Sequence, residues 1–117
     1  MDDIQWFFRG RSEELIAILG NGTFVPLPAF ATRLQLIDNA GIILNGVTVG
    51  DSGVYTVEIN GFDKTGDHFV LRRHVIVQVS SRCRGPRRWM LVVRFTVSGR
   101  KVEDTEVILK CFLISFL

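Results

Sequence analysis

Asp51-Ser52-Gly53-Val54-Tyr55 is the stretch whose reading decides the fold. It sits between two segments that alternate with the period of a strand. Before it, Ile42–Val49 reads as a strand and Gly50-Asp51-Ser52-Gly53 as a turn. After it, Val54–Asn60 alternates cleanly, with Tyr55, Val57 and Ile59 on one face and Val54, Thr56, Glu58 and Asn60 on the other. Gly53 permits a tight entry into the strand. Tyr55 can then pack inward while its hydroxyl bonds backbone at the corner.

Working outward, the same pattern recurs. Ile4–Arg9 reads as a strand that ends at the turn Gly10-Arg11-Ser12. Glu14–Leu19 is a second, closed by Gly20-Asn21-Gly22. Thr23–Thr32 holds Pro26 and Pro28 and reads as an irregular or edge segment. Arg33–Ile37 and Ile42–Val49 flank Asp38-Asn39-Ala40-Gly41 and look like a hairpin. Phe69–Val79 is a long strand with Val75, Val77 and Val79 on one face. Ser80–Arg88 reads as a basic linker, and Trp89–Val97 and Glu106–Phe116 as two further strands. Short strands separated by turn residues predict an all-β sandwich or barrel.

Composition agrees. The chain has 117 residues, 47% hydrophobic and 22% charged, enough to bury one core. Charge is uneven. Residues 1–80 hold six Lys/Arg against nine Asp/Glu, net −3, and residues 81–117 hold eight against three, net +5. This asymmetry predicts two pieces of different duty, 1–80 and 81–117. Nothing in the sequence reads as a signal peptide, and no run approaches the roughly 20 apolar residues of a membrane span. The spacing of Cys83 and Cys111 permits a disulfide without requiring one.

Asp51-x-Gly53-x-Tyr55 resembles the turn into strand F of V-type immunoglobulin domains. Trp6, 49 residues before Tyr55, stands where that family has its core tryptophan on strand C. Arg33, 18 residues before Asp51, stands where the family pairs an Arg of strand D with that Asp. Ile42–Val47 resembles strand E. The resemblance covers about residues 4–79 and extends to the first domains of the carcinoembryonic-antigen-related, hepatic and glial, and lymphocyte-activation cell adhesion molecules. It implies an immunoglobulin-like β-sandwich, strands C to G in residues 1–80.

Two departures matter. Val57 occupies the place of the strand F cysteine, so the usual B–F disulfide is lacking. Strands A and B, which should precede Trp6, are missing too. Residues 81–117 either begin a second domain, with Cys111 as its strand B cysteine, or fold back to fill the A and B places, in cis or by swapping between copies. The second course would turn Cys111 toward the neighbourhood of Val57.

The resemblance also implies a contact face. Gln5, Phe7 and Arg9 of strand C, Val54, Thr56, Glu58 and Asn60 of strand F, and Glu14 and Ile16 of strand C′ would face outward on the GFCC′ sheet. Phe7 would be the anchor. The partner is then an immunoglobulin-like protein, homophilic or heterophilic, met at the cell surface or outside the cell. Asn21-Gly22-Thr23 is a glycosylation sequon in a loop, used only in a secretory compartment.

Other chemistries find less support. His68 and His74 lack companions at metal-ligand spacing, and no nucleophile elbow or phosphate loop is present, so neither a cofactor nor an enzymatic reaction is expected. Arg82, Arg84, Arg87, Arg88 and Arg94 beside Trp89 form a basic-aromatic run of the kind that binds nucleic acid. A solvated linker accounts for it more simply. A truncated product without a binding role is the remaining alternative.

Overall fold

The computed structural model describes residues 3–37, 40–79, 83 and 87–113. Among these, nine strands run β1 Asp3–Arg9, β2 Glu13–Gly20, β3 Thr23–Pro26, β4 Leu34–Ile37, β5 Gly41–Val47, β6 Gly53–Phe62, β7 His68–Val77, β8 Arg87–Ser98 and β9 Lys101–Leu113. They form a five-stranded sheet, β3-β2-β1-β6-β7, and a four-stranded sheet, β4-β5-β8-β9. Every ladder is antiparallel.

Alternation sets what lies between the sheets. Ile4, Trp6 and Phe8 of β1 face Ile59, Val57 and Tyr55 of β6 on the inner side. Ile42 and Leu44 of β5 pair with Val93 and Leu91 of β8. Trp6, Val57, Ile42, Leu44, Leu91, Val93 and Phe95 are all at most 2% exposed. The Trp6 indole donates to the Ala40 carbonyl across the core (3.3 Å), so its one polar atom is satisfied where water is excluded.

The tail strands belong to this core. β8 pairs with β5 in the middle of the second sheet, and β9 closes the sheet beyond it. In the sheet order β4-β5-β8-β9 they stand where an immunoglobulin-like sandwich has strands B and A. Leu91, Val93 and Phe95 of β8 supply apolar cover that residues 3–79 lack.

Cys111 is bonded to Cys83. It sits opposite Trp89 near the end of β9. Its sulfur is therefore spent on Cys83, at the entry to β8, and is not offered to Val57 in the other sheet. The bridge spans a sequence separation of 28 and ties the outer strand to the chain leading into its neighbour. Arg87 and Arg88 are exposed, and Arg94 lies 3.8 Å from Glu106. Arg82 and Arg84 fall outside the described residues, as does the expected strand end beyond Leu113.

Candidate protein-contact face

The corner before β6 fixes how the first sheet is presented. Arg33 donates from Nη2 to Asp51 Oδ2 (2.6 Å) and from Nη1 to Oδ1 (3.2 Å). It also donates to the carbonyls of Asn45 (3.1 Å) and Gly46 (3.3 Å). The same Asp51 carboxylate accepts the Thr48 N–H (2.8 Å), and the Asp51 carbonyl accepts the Tyr55 hydroxyl (2.7 Å). One short segment thus joins the β4–β5 hairpin to β6. Burial, and secondarily the Asp51 charge, hold the Tyr55 phenol well above its ordinary range. At Gly53 a Cβ would strike the Arg9 carbonyl oxygen and come within 2.9 Å of the Phe8 ring, so only glycine lets β6 draw this close to β1.

β1 and β6 then carry Gln5 opposite Glu58, Phe7 opposite Thr56, and Arg9 opposite Val54 on the outer side. Asn60 follows, opposite Asp3. The structure brings Gln5, Phe7, Thr56, Glu58 and Asn60 together on this face. Thr56 is only 5% exposed, enclosed by its neighbours. Glu14 is not with them. It pairs with Phe8, on the side of the sheet opposite Phe7.

The reason is a β-bulge. The β1–β2 register shifts between Trp6 and Phe7, so Trp6 pairs with Ala17 but Phe7 pairs with Leu15. Ile16 is the extra residue, and both Ile16 and Ala17 turn inward at 0% exposure. Ile16 is therefore core, contrary to its expected outward place. The residues that β2 does present are Glu13, Leu15 and Ile18, opposite Arg9, Phe7 and Gln5. Ile18 in turn pairs with Val25 of β3, which is 51% exposed.

This face has an apolar band, Val25, Ile18, Leu15 and Phe7, running across three strands. A charged clamp borders it. Arg72 of β7 lies over the Phe7 ring (5.3 Å to the centroid) and bridges Glu13 and Glu58 (2.8 Å to the latter). On the far strand Val70 and Ile76 are exposed, Ile76 by 79%. Assigning Val75, Val77 and Val79 to one face of β7 already leaves Arg72, His74 and Ile76 for the other. The Leu15–Ile18 pair had no such signal, because a bulge is invisible to alternation.

Asn21 has φ 51° and Gly22 φ 75° in the two-residue turn joining β2 to β3, the backbone that Asn-Gly adopts most readily. Asn21 is exposed there. His68 and His74 are exposed strand residues on β7. No described helix is long and apolar enough to cross a membrane.

Two antiparallel sheets closed over Trp6, with the Tyr55 corner and the Arg33–Asp51 pair at one end, make an immunoglobulin-like β-sandwich. Among solved structures, murine CRIg is similar, with a TM-score of 0.60 and 15% identity over 68% of this chain and 71% of that chain. No family model matches the sequence, and no curated protein matches it either.

Proposed function

We propose that the chain is a protein-binding module of the adhesion or receptor kind, acting at the cell surface or outside the cell. It works as one sandwich, with residues 81–117 completing the domain of residues 1–80. Its contact face is the outer side of β3-β2-β1-β6-β7, the counterpart of the GFCC′ sheet. The partner is another immunoglobulin-like protein, of the same or a different kind. The observation that carries this reading is the band of Val25, Ile18, Leu15 and Phe7 beside the Arg72–Glu13–Glu58 clamp. An apolar centre with a charged rim is the anatomy of a specific protein contact. The two-carboxylate hold on Arg72 keeps its guanidinium over Phe7, so less side-chain entropy is left to lose on binding.

Contact residues in this reading are Gln5, Phe7, Glu58 and Asn60 as first expected, with Leu15 and Ile18 in place of Glu14, while Thr56, 5% exposed, lies beneath the surface they form. Asn21 sits in the β2–β3 turn at one end of the sheet, where a glycan would flank the face and not cover it.

The test is Phe7→Ala and Leu15→Arg, measured as surface binding to displayed immunoglobulin-like ectodomains, this chain's own included. The expected result is binding weakened by about tenfold or more in each variant, the range of interface anchors, with thermal melts near wild type. Binding that both variants leave unchanged would refute the face. No binding to any such ectodomain, and none to itself, would refute the function.

A further inference from the structure

The two sheets have four edge strands, β3, β7, β4 and β9. Three of them are poor templates for another chain. β3 and β4 are four residues each, and β3 ends at Pro26. β7 places the exposed Arg73 opposite Val57 on its inward side, a charge that resists strand addition. β9 differs. It runs thirteen residues, Lys101–Leu113, contains no proline and, among the described residues, has a ladder only to β8.

Both ends of β9 are fastened. At its start, Arg100 pairs with Asp63 (3.3 Å) and lies over the Phe69 ring (5.4 Å), and Val102 is buried. Near its finish stands the Cys83–Cys111 bridge. Between them no described residue covers the strand's free edge, and Val107 is 40% and Ile108 42% exposed. A strand held at both ends and bare in the middle offers its free backbone groups in a fixed line.

The side chains specify what could take that line. Glu106, Ile108 and Lys110 stand opposite Arg94, Val92 and Met90 and so share the outer face. An acid two residues before a central isoleucine and a base two residues after it are complementary to the same strand run antiparallel. We propose that β9 pairs with β9 of a second copy of this chain, about a two-fold axis at Ile108. Ile108 then meets its own copy, Val107 meets Leu109, and Glu106 meets Lys110 twice. The apolar row Ile43–Val92–Ile108 continues across the axis into the partner's identical row. Centring the pair on Val107 instead would set Glu106 against Ile108 on both arms, a charge opposite an apolar side chain. The two four-stranded sheets become one of eight, and the long edge is gone. The proposed contact face, on the other sheet, stays open on both copies.

The experiment is a charge swap read by sedimentation equilibrium across the micromolar range, with far-UV circular dichroism to check folding. Wild type is expected to dimerise. K110E and E106K are each expected to weaken the dimer by on the order of tenfold, since two like-charged contacts replace two favourable ones. E106K/K110E is expected to restore it. K110E is the cleaner single arm, because it leaves the Arg94–Glu106 contact alone. A monomeric wild type would overturn the proposal. So would single variants that dimerise as wild type does, or a folded double variant that is not rescued. A dimer abolished by Phe7→Ala and indifferent to K110E would overturn it in favour of self-association through the other sheet.

Discussion

Phe95→Ala tests whether the tail is part of the fold. Phe95 is 0% exposed on β8, between the sheets, and comes from the segment that composition marks as a separate piece. Removing its ring deletes a buried aromatic and leaves a cavity that rigid strands on both sides cannot close. Such truncations cost about 3–5 kcal/mol, a large part of the roughly 5–15 kcal/mol that holds a domain together. For a chain of this size that corresponds to a fall of roughly 10–25 °C in melting temperature. Phe95→Leu keeps most of the volume and should cost about 1–1.5 kcal/mol.

The assay is urea unfolding followed by tryptophan fluorescence in a Trp89→Phe background. Trp6, in the first sheet, is then the sole indole, since the chain has two tryptophans. A Phe95→Ala shift read by Trp6 shows that loosening β8 unfolds the opposite sheet in the same transition. A loss below about 1 kcal/mol, or a Trp6 transition that does not move while far-UV dichroism does, would refute the reasoning. The tail would then fold beside the first sheet and not as its other half.

Arg33→Ala should cost about 2–3 kcal/mol, because it takes a charged donor from the Asp51 carboxylate and from two backbone carbonyls at a partly buried site. A double-mutant cycle with Asp51→Asn, by urea unfolding, should return a coupling above 0.5 kcal/mol. The Tyr55 phenol stays protonated in the folded chain while an unfolded tyrosine ionises near about pH 10. Above that pH the native state binds more protons, so stability should fall as pH rises, by up to about 1.4 kcal/mol per pH unit, and Tyr55→Phe should remove that component. Tyr55 is the only tyrosine, so phenolate absorbance during a pH jump reports this group alone and should rise only as the chain unfolds. Reducing Cys83–Cys111, or replacing both by Ser, should cost about 3–4 kcal/mol from the 28-residue separation, seen as a lower urea midpoint. An unchanged midpoint would show that the β8–β9 ladder alone sets the position of β9.

The residues that announce the fold do so because their chemistry is local. Asp51, Gly53 and Tyr55 act within five positions, and their turn, close approach and hydroxyl bond can be read from residue type alone. Arg33 is not local in this sense: it lies 18 positions before Asp51, and only the resemblance to V-type domains points to it. The face proposed for contact was half legible for a related reason. Alternation places Gln5, Phe7, Thr56, Glu58 and Asn60 correctly relative to Trp6 and Tyr55, since β1 and β6 are regular over that span. It fails on β2, where one bulged residue reverses the sides, turning Ile16 into core and bringing Leu15 and Ile18 out. A bulge is a property of two strands and their fit, so no single strand's pattern reveals it.

The tail poses a deeper version of the same limit. Its alternation shows strands but not their neighbours, because the apolar faces of Leu91–Phe95 and Val107–Cys111 would suit either a second domain or the first. What decides is the core itself. A sheet holding Leu34, Ile42 and Leu44 on its inner side cannot stay open beside Trp6, and the nearest apolar strands in the chain are β8 and β9. β8 pairs antiparallel with β5, as a strand filling the B place must, and β9 follows by a turn to the A place. The sandwich therefore reaches its architecture with these two places filled last, in the order B then A. That order leaves β9, the last of the described strands, on the edge of the sheet. Among the described residues, the bare β9 edge on which the proposed pairing rests is thus a consequence of how the chain completes its core.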